Sequence, residues 1–118
     1  MRALYALLTS FFLLSLSACA KTVELNLPST ASVTVYDMST GKQRNIEPKT
    51  ELHQKLSRWT INNQDGWQPY LATPPAQGII VRAEGLDVQF IGDHALVHSR
   101  QGVFTKKVNS AELTFLSE

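Results

Sequence analysis

The chain has 118 residues, 43% of them apolar and 18% charged, with a formal net charge of +1. That length holds one domain, while six Gly and five Pro exclude collagen-like or low-complexity architecture and a single Cys excludes an internal disulfide framework or a Cys-rich zinc module. The balanced charge carries no basic footprint for nucleic acid, so none is expected as a partner.

Met1-Arg2 supplies one positive charge, and the run from Ala3 to Leu14 is almost wholly apolar. Leu16-Ser17-Ala18-Cys19 follows: a bulky aliphatic, two small residues and the chain's one cysteine. A charged start, a short apolar stretch and a small-residue exit are the features of a secretory signal peptide. The run falls short of the ~20 residues that a membrane-spanning helix needs.

Leu16-Ser17-Ala18-Cys19 resembles the lipobox of bacterial lipoproteins, in which Leu, a small residue and Ala or Gly precede the modified Cys. The resemblance covers the first nineteen residues and implies that residues 1–18 are removed. It further implies that the Cys19 thiol carries a diacylglyceryl thioether and that the freed α-amine is acylated in turn. Each buried methylene contributes about 0.8 kcal/mol, so two or three acyl chains hold such a protein durably on a membrane. Ala20 stands where lipoproteins kept in the inner membrane of enteric bacteria often carry Asp. The resemblance therefore implies the outer membrane, periplasmic face, with the inner membrane as the alternative.

Without the leader the chain is formally neutral, with ten Lys and Arg against ten Asp and Glu. Residues 19–32 read as the lipidated N-terminus, a tether and a first strand, because Thr22-Val23-Glu24-Leu25-Asn26-Leu27 alternates polar and apolar with period two. Residues 33–118 read as one small domain. Val33-Thr34-Val35-Tyr36 is a strand, Ser39-Thr40-Gly41-Lys42 a turn, and Gln43–Ile46 completes a hairpin.

Residues 48–63 read as the single helix, with Pro48 in the first helical position, where its missing N–H costs nothing. Leu52, Leu56 and Trp59 form an apolar stripe at i, i+4, i+7, and Lys49, Gln54, Lys55 and Arg58 face away. Asn62-Asn63 and Asp65-Gly66 end it. Residues 66–76 are irregular.

The rest reads as β-structure. Ile79-Ile80-Val81 is a strand, Glu84-Gly85 a turn, and Leu86-Asp87-Val88-Gln89-Phe90 alternates with Leu86, Val88 and Phe90 on one face. Gly92-Asp93 is a hairpin signal with Gly first. Ala95–His98, Val103–Val108 and Leu113–Leu116 are the remaining strands, with Arg100-Gln101-Gly102 as a loop between the first two. Spacings this short require antiparallel neighbours. The fold class is α+β, one amphipathic helix packed on an antiparallel, mostly meander sheet.

Chemistry-bearing patterns are sparse. On a strand, His94 and His98 lie roughly 13 Å apart, too far to share a metal. His53 belongs on the helix beside the apolar stripe, partly exposed. Asp93-His94 lacks a marked nucleophile, Glu84 and Asp87 flank one turn, and Lys106-Lys107 reads as an exposed edge guarding against strand addition. No catalytic set, metal site or cofactor beyond the lipid on Cys19 is expected.

Trp59, Trp67 and Tyr70 place three large aromatics within twelve positions, the last two in the irregular stretch. Trp and Tyr are enriched at binding hot spots, which makes Trp67 and Tyr70 the candidate partner-binding residues. The alternative is that both plug the gap between helix end and sheet, with their polar atoms bonded to backbone. The expectation is a non-catalytic, membrane-anchored lipoprotein binding a protein in the cell envelope, either inhibitor- or immunity-like or an assembly accessory. The alternatives are a structural subunit of a larger envelope complex, using its sheet edge, or a small ligand carrier or hydrolase using His94 or His98.

Overall fold

Period-two burial and tight turns build most of the structure, which a computed structural model describes for residues 20–117. Seven antiparallel strands form one sheet: β1 (Val33–Asp37), β2 (Gln43–Ile46), β3 (Gln68–Pro69), β4 (Ile79–Ala83), β5 (Leu86–Ile91), β6 (His94–Ser99) and β7 (Gly102–Lys107), in the spatial order β2-β1-β4-β5-β6-β7-β3. Helix α1 spans Glu51–Asn62, and a 3-10 helix, η1, spans Ser110–Ser117. Among the described residues no helix is long and apolar enough to cross a membrane.

Strands β4 to β7 are the expected meander. Two-residue turns join Ala83 to Leu86, Ile91 to His94 and Ser99 to Gly102, each pair facing across its hairpin. Gly92, at φ 57°, takes the left-handed conformation that a tight hairpin turn demands. β1 and β2 form a hairpin that joins β4 through β1, and β3 closes the opposite edge against β7. Pro69 sits on that outermost strand, where a missing N–H costs no ladder bond.

One face of the sheet carries the core. Leu86, Val88 and Phe90 of β5 are buried together with Val81, Val97 and Phe104, and Leu56 and Trp59 of α1 join the same cluster. Trp59 meets Phe90 edge-to-face with ring centroids 5.0 Å apart, fixing the helix on the sheet. On β5 the intervening Gln89 is also buried, and its amide donates to the carbonyls of Pro75 and Gln77 at 2.6 and 2.8 Å. The irregular stretch after β3 thus lies against the other face.

Four expectations need correction. Val23, Leu25 and Leu27 are buried in alternation, yet their segment is no strand of the sheet. It is an extended strap stitched to the loop after α1: the Val23 N–H donates to Gln64 O at 2.7 Å, and the Gln64 amide donates to Leu25 O at 2.7 Å. The helix begins at Glu51 instead of Pro48, because Lys49 adopts a positive φ of 69° and Thr50 caps it by accepting from the His53 N–H at 3.3 Å.

His53 is buried, not partly exposed, and its Nε2 lies 2.8 Å from the carbonyl of Ala31. Finally, Leu113–Leu116 belongs to η1 instead of a strand. Asn109 starts that turn by accepting from the Ala111 and Glu112 N–H groups, and Leu113 and Leu116 share a face at i, i+3.

Candidate functional site

The leader and the lipobox Leu16–Cys19 lie outside the described residues. Among the described residues, the backbone contacts nearest to them in sequence are made by Lys21. Its N–H donates to Trp67 O at 2.8 Å and its carbonyl accepts from the Trp67 N–H at 3.0 Å, an isolated antiparallel bridge. Thr22 Oγ1 donates to the Asp65 carboxylate at 2.7 Å, one residue further along. The segment expected to act as a tether is therefore held down from Lys21 onward.

The candidate aromatics part company. Trp67 is 0% exposed, and its indole N–H donates to the carbonyl of Asn63 at 2.7 Å. It fills the space between helix end and sheet edge and has no surface to offer a partner. Lys106 extends above it, with Nζ 6.0 Å from the ring centroid and donating to Asp65 O at 2.6 Å. Tyr70 is half-buried, and its backbone N–H donates to Val103 O at 2.8 Å, so the edge of the sheet holds it in place. Leu71, which follows, is 95% exposed.

Trp59, not singled out for binding, is 5% exposed, and its indole N–H is buried without a hydrogen-bond partner among the described residues. Packing alone holds that ring.

The titratable groups do not converge. His94 and His98 stand near opposite ends of β6. The His94 ring Nδ1 lies 2.8 Å from the Asp93 carboxylate, whose other oxygen lies 3.8 Å from Lys107 Nζ, all on the surface. His98 borders a cleft of about 370 Å³ between the strap and the sheet end, with Glu24, Leu25, Gly85, Asp87 and Arg100. Asp87 faces Arg82 across the β4–β5 hairpin at 3.6 Å instead of meeting Glu84. No group of three or more His, Cys, Asp or Glu able to hold a metal occurs among the described residues.

Lys106 and Lys107 follow Phe104 and Thr105, the two β7 residues that β3 pairs, so the strand they end is not the outermost of the sheet. The exposed Leu71 is the surface feature that sequence reasoning missed. A single Leu before Ala and Thr carries no periodic signal, and only the clamp on Tyr70 shows that it projects from a fixed edge.

Comparisons with protein-family models, with curated proteins and with solved structures return no match for this chain.

Proposed function

We propose that this chain is a lipoprotein held by acyl chains on Cys19 at the periplasmic face of the outer membrane, where it binds an envelope protein without catalysing a reaction. The observation that carries the reading is Leu16-Ser17-Ala18-Cys19 placed after a charged start and a short apolar run. Ala20 in the position after Cys19 favours the outer over the inner membrane. The covalent lipid is the one non-protein group the reading requires, and nucleic acid is not among its partners.

Partner binding, inhibitor- or immunity-like or in the service of an assembly machine, rests on the exposed part of the aromatic segment. With Trp67 in the core, Tyr70 is the aromatic of the pair left to make the contact. A structural subunit is the second reading, favoured by the opposite edge. Among the described residues β2 pairs with β1 alone, and the bond from the Asp37 N–H to Lys42 O sets a phase in which the backbone groups of Gln43 and Asn45 point outward. Such an edge accepts a partner's strand.

Affinity capture from native membranes, run with the wild type and with Tyr70→Ala, separates the two. A single stoichiometric partner lost in the variant supports the inhibitor-like reading. Several envelope proteins retained by both support the structural subunit and overturn the role of Tyr70.

A further inference from the structure

We infer that the β3 edge, with Lys21, Tyr70 and Leu71, lies directly against the phospholipid bilayer, so that the sheet stands with β3 at the membrane and β2 farthest from it. This rests on the proposed acylation of Cys19. Only Ala20 separates Cys19 from Lys21, and two peptide units reach at most about 7 Å even when fully extended. The headgroup layer of one leaflet is itself about 5–8 Å deep. Lys21 cannot swing free to use even that short reach, because both of its backbone hydrogen bonds are made to Trp67. The acyl chains and the folded domain therefore share the headgroup region, with no spacer between them.

The bridge also sets which end of that edge the anchored chain runs toward. It is antiparallel, so Ala20, running back from Lys21, lies on the side toward which the chain runs forward from Trp67. That forward path is β3, then Tyr70 fixed on Val103, then Leu71 at 95% exposure. The register Gln68↔Thr105 and Pro69↔Phe104, continued, brings Leu71 beside Gly102 and the β6–β7 turn that carries the exposed Arg100. An isolated Leu, a half-buried Tyr and cationic side chains from Lys21 and Arg100 suit a headgroup boundary, where apolar side chains enter the acyl region and ammonium or guanidinium groups meet phosphate.

The far edge is six strand spacings away, about 25–30 Å. Gln43 and Asn45 on β2 then face the aqueous compartment, and a soluble protein reaches that edge without competing with lipid.

The test uses the mature lipidated protein, purified from membranes and reconstituted into phosphatidylethanolamine–phosphatidylglycerol vesicles with and without brominated acyl chains. Acylation consumes the Cys19 thiol, so Leu71→Cys and Gln43→Cys each offer one thiol for an environment-sensitive fluorophore. Both sites are exposed, and neither substitution disturbs the core. The expected result is a blue-shifted probe at 71 that loses intensity with brominated lipid, and an unshifted, unquenched probe at 43. Equal quenching at both sites, or none at 71, on protein whose intact mass shows acylated Cys19, overturns the orientation and leaves the anchor standing. An intact mass without acyl groups overturns the anchor, and the orientation with it.

Discussion

Lys21 and Trp67 exchange both of their backbone hydrogen bonds, at 2.8 and 3.0 Å, and the Trp67 side chain is sealed in the core beneath them. One residue pair thus couples the N-terminal end of the described residues to the best-buried aromatic among them. Whatever holds residue 19 holds the folded body almost directly.

Trp67→Ala should destabilise the domain by about 3–5 kcal/mol, the usual cost of emptying a large aromatic site in a core. Tyr70→Ala, at a half-buried edge position, should cost less than about 1.5 kcal/mol. Urea denaturation of the two variants beside the wild type checks the contrast. Equal losses would mean that Tyr70 is as much a core residue as Trp67.

The two tryptophans should also differ in how they tolerate Phe. Trp67→Phe removes an indole N–H that donates to Asn63 O at 2.7 Å, whereas Trp59→Phe removes one that is buried without a partner among the described residues. An unsatisfied buried donor costs about 1–3 kcal/mol, so losing it offsets part of the lost ring contact. Trp59→Phe is therefore predicted to be the milder change, read as the smaller fall in denaturation midpoint.

Gly78 should be irreplaceable and Gly41 tolerant. Both have positive φ, at 87° and 73°, but a Cβ on Gly78 would lie 2.1 Å from the carbonyl oxygen of Phe90, while one on Gly41 meets nothing within 4 Å. Gly41→Ala carries only the left-handed backbone penalty, about 1–2 kcal/mol. Gly78→Ala must also push the chain off β5 and is expected to cost at least about 3 kcal/mol, or to prevent folding. Thermal unfolding of both variants separates them.

Asp37 predicts a small acid dependence with a defined sign. The Ser39 hydroxyl and then the Ser39 backbone N–H donate to its carboxylate, at 2.6 and 2.9 Å, and hold its pKa below the ordinary value. A depressed carboxyl pKa stabilises the fold above the unfolded value, near pH 4, and that contribution is lost as pH falls through the lower folded value. Ser39→Ala should raise the Asp37 titration midpoint toward that of a free aspartate. Carboxyl-carbon NMR titration of Asp37 in both proteins reads it directly.

Local chemistry made the β4–β7 meander legible, because Glu84-Gly85 and Gly92-Asp93 punctuate alternating runs whose inward faces have one assignment. Elsewhere periodicity told which residues are buried without telling what they pair with. Val23, Leu25 and Leu27 are inside as their spacing predicts, but the hydrogen-bond partners of that segment are Gln64 and Asp65, about forty residues away in sequence, where no local pattern points. Leu113–Leu116 is too short for its period to separate strand from 3-10 turn, and the Asn109 cap decided it. Pro48 looked like a helix start, yet Thr50, with a side chain able to accept from the His53 N–H, was the better cap. In the candidate site, Trp67 met both requirements set for the core alternative, burial and a backbone bond, and Tyr70 kept its exposed flank.

Intact-mass spectrometry of the protein extracted from its native membranes tests the lipid anchor most directly. The predicted species is residues 19–118 carrying a diacylglyceryl thioether on Cys19 and an acylated α-amine. A polypeptide that still begins at Met1, or one whose Cys19 thiol is free, would contradict it.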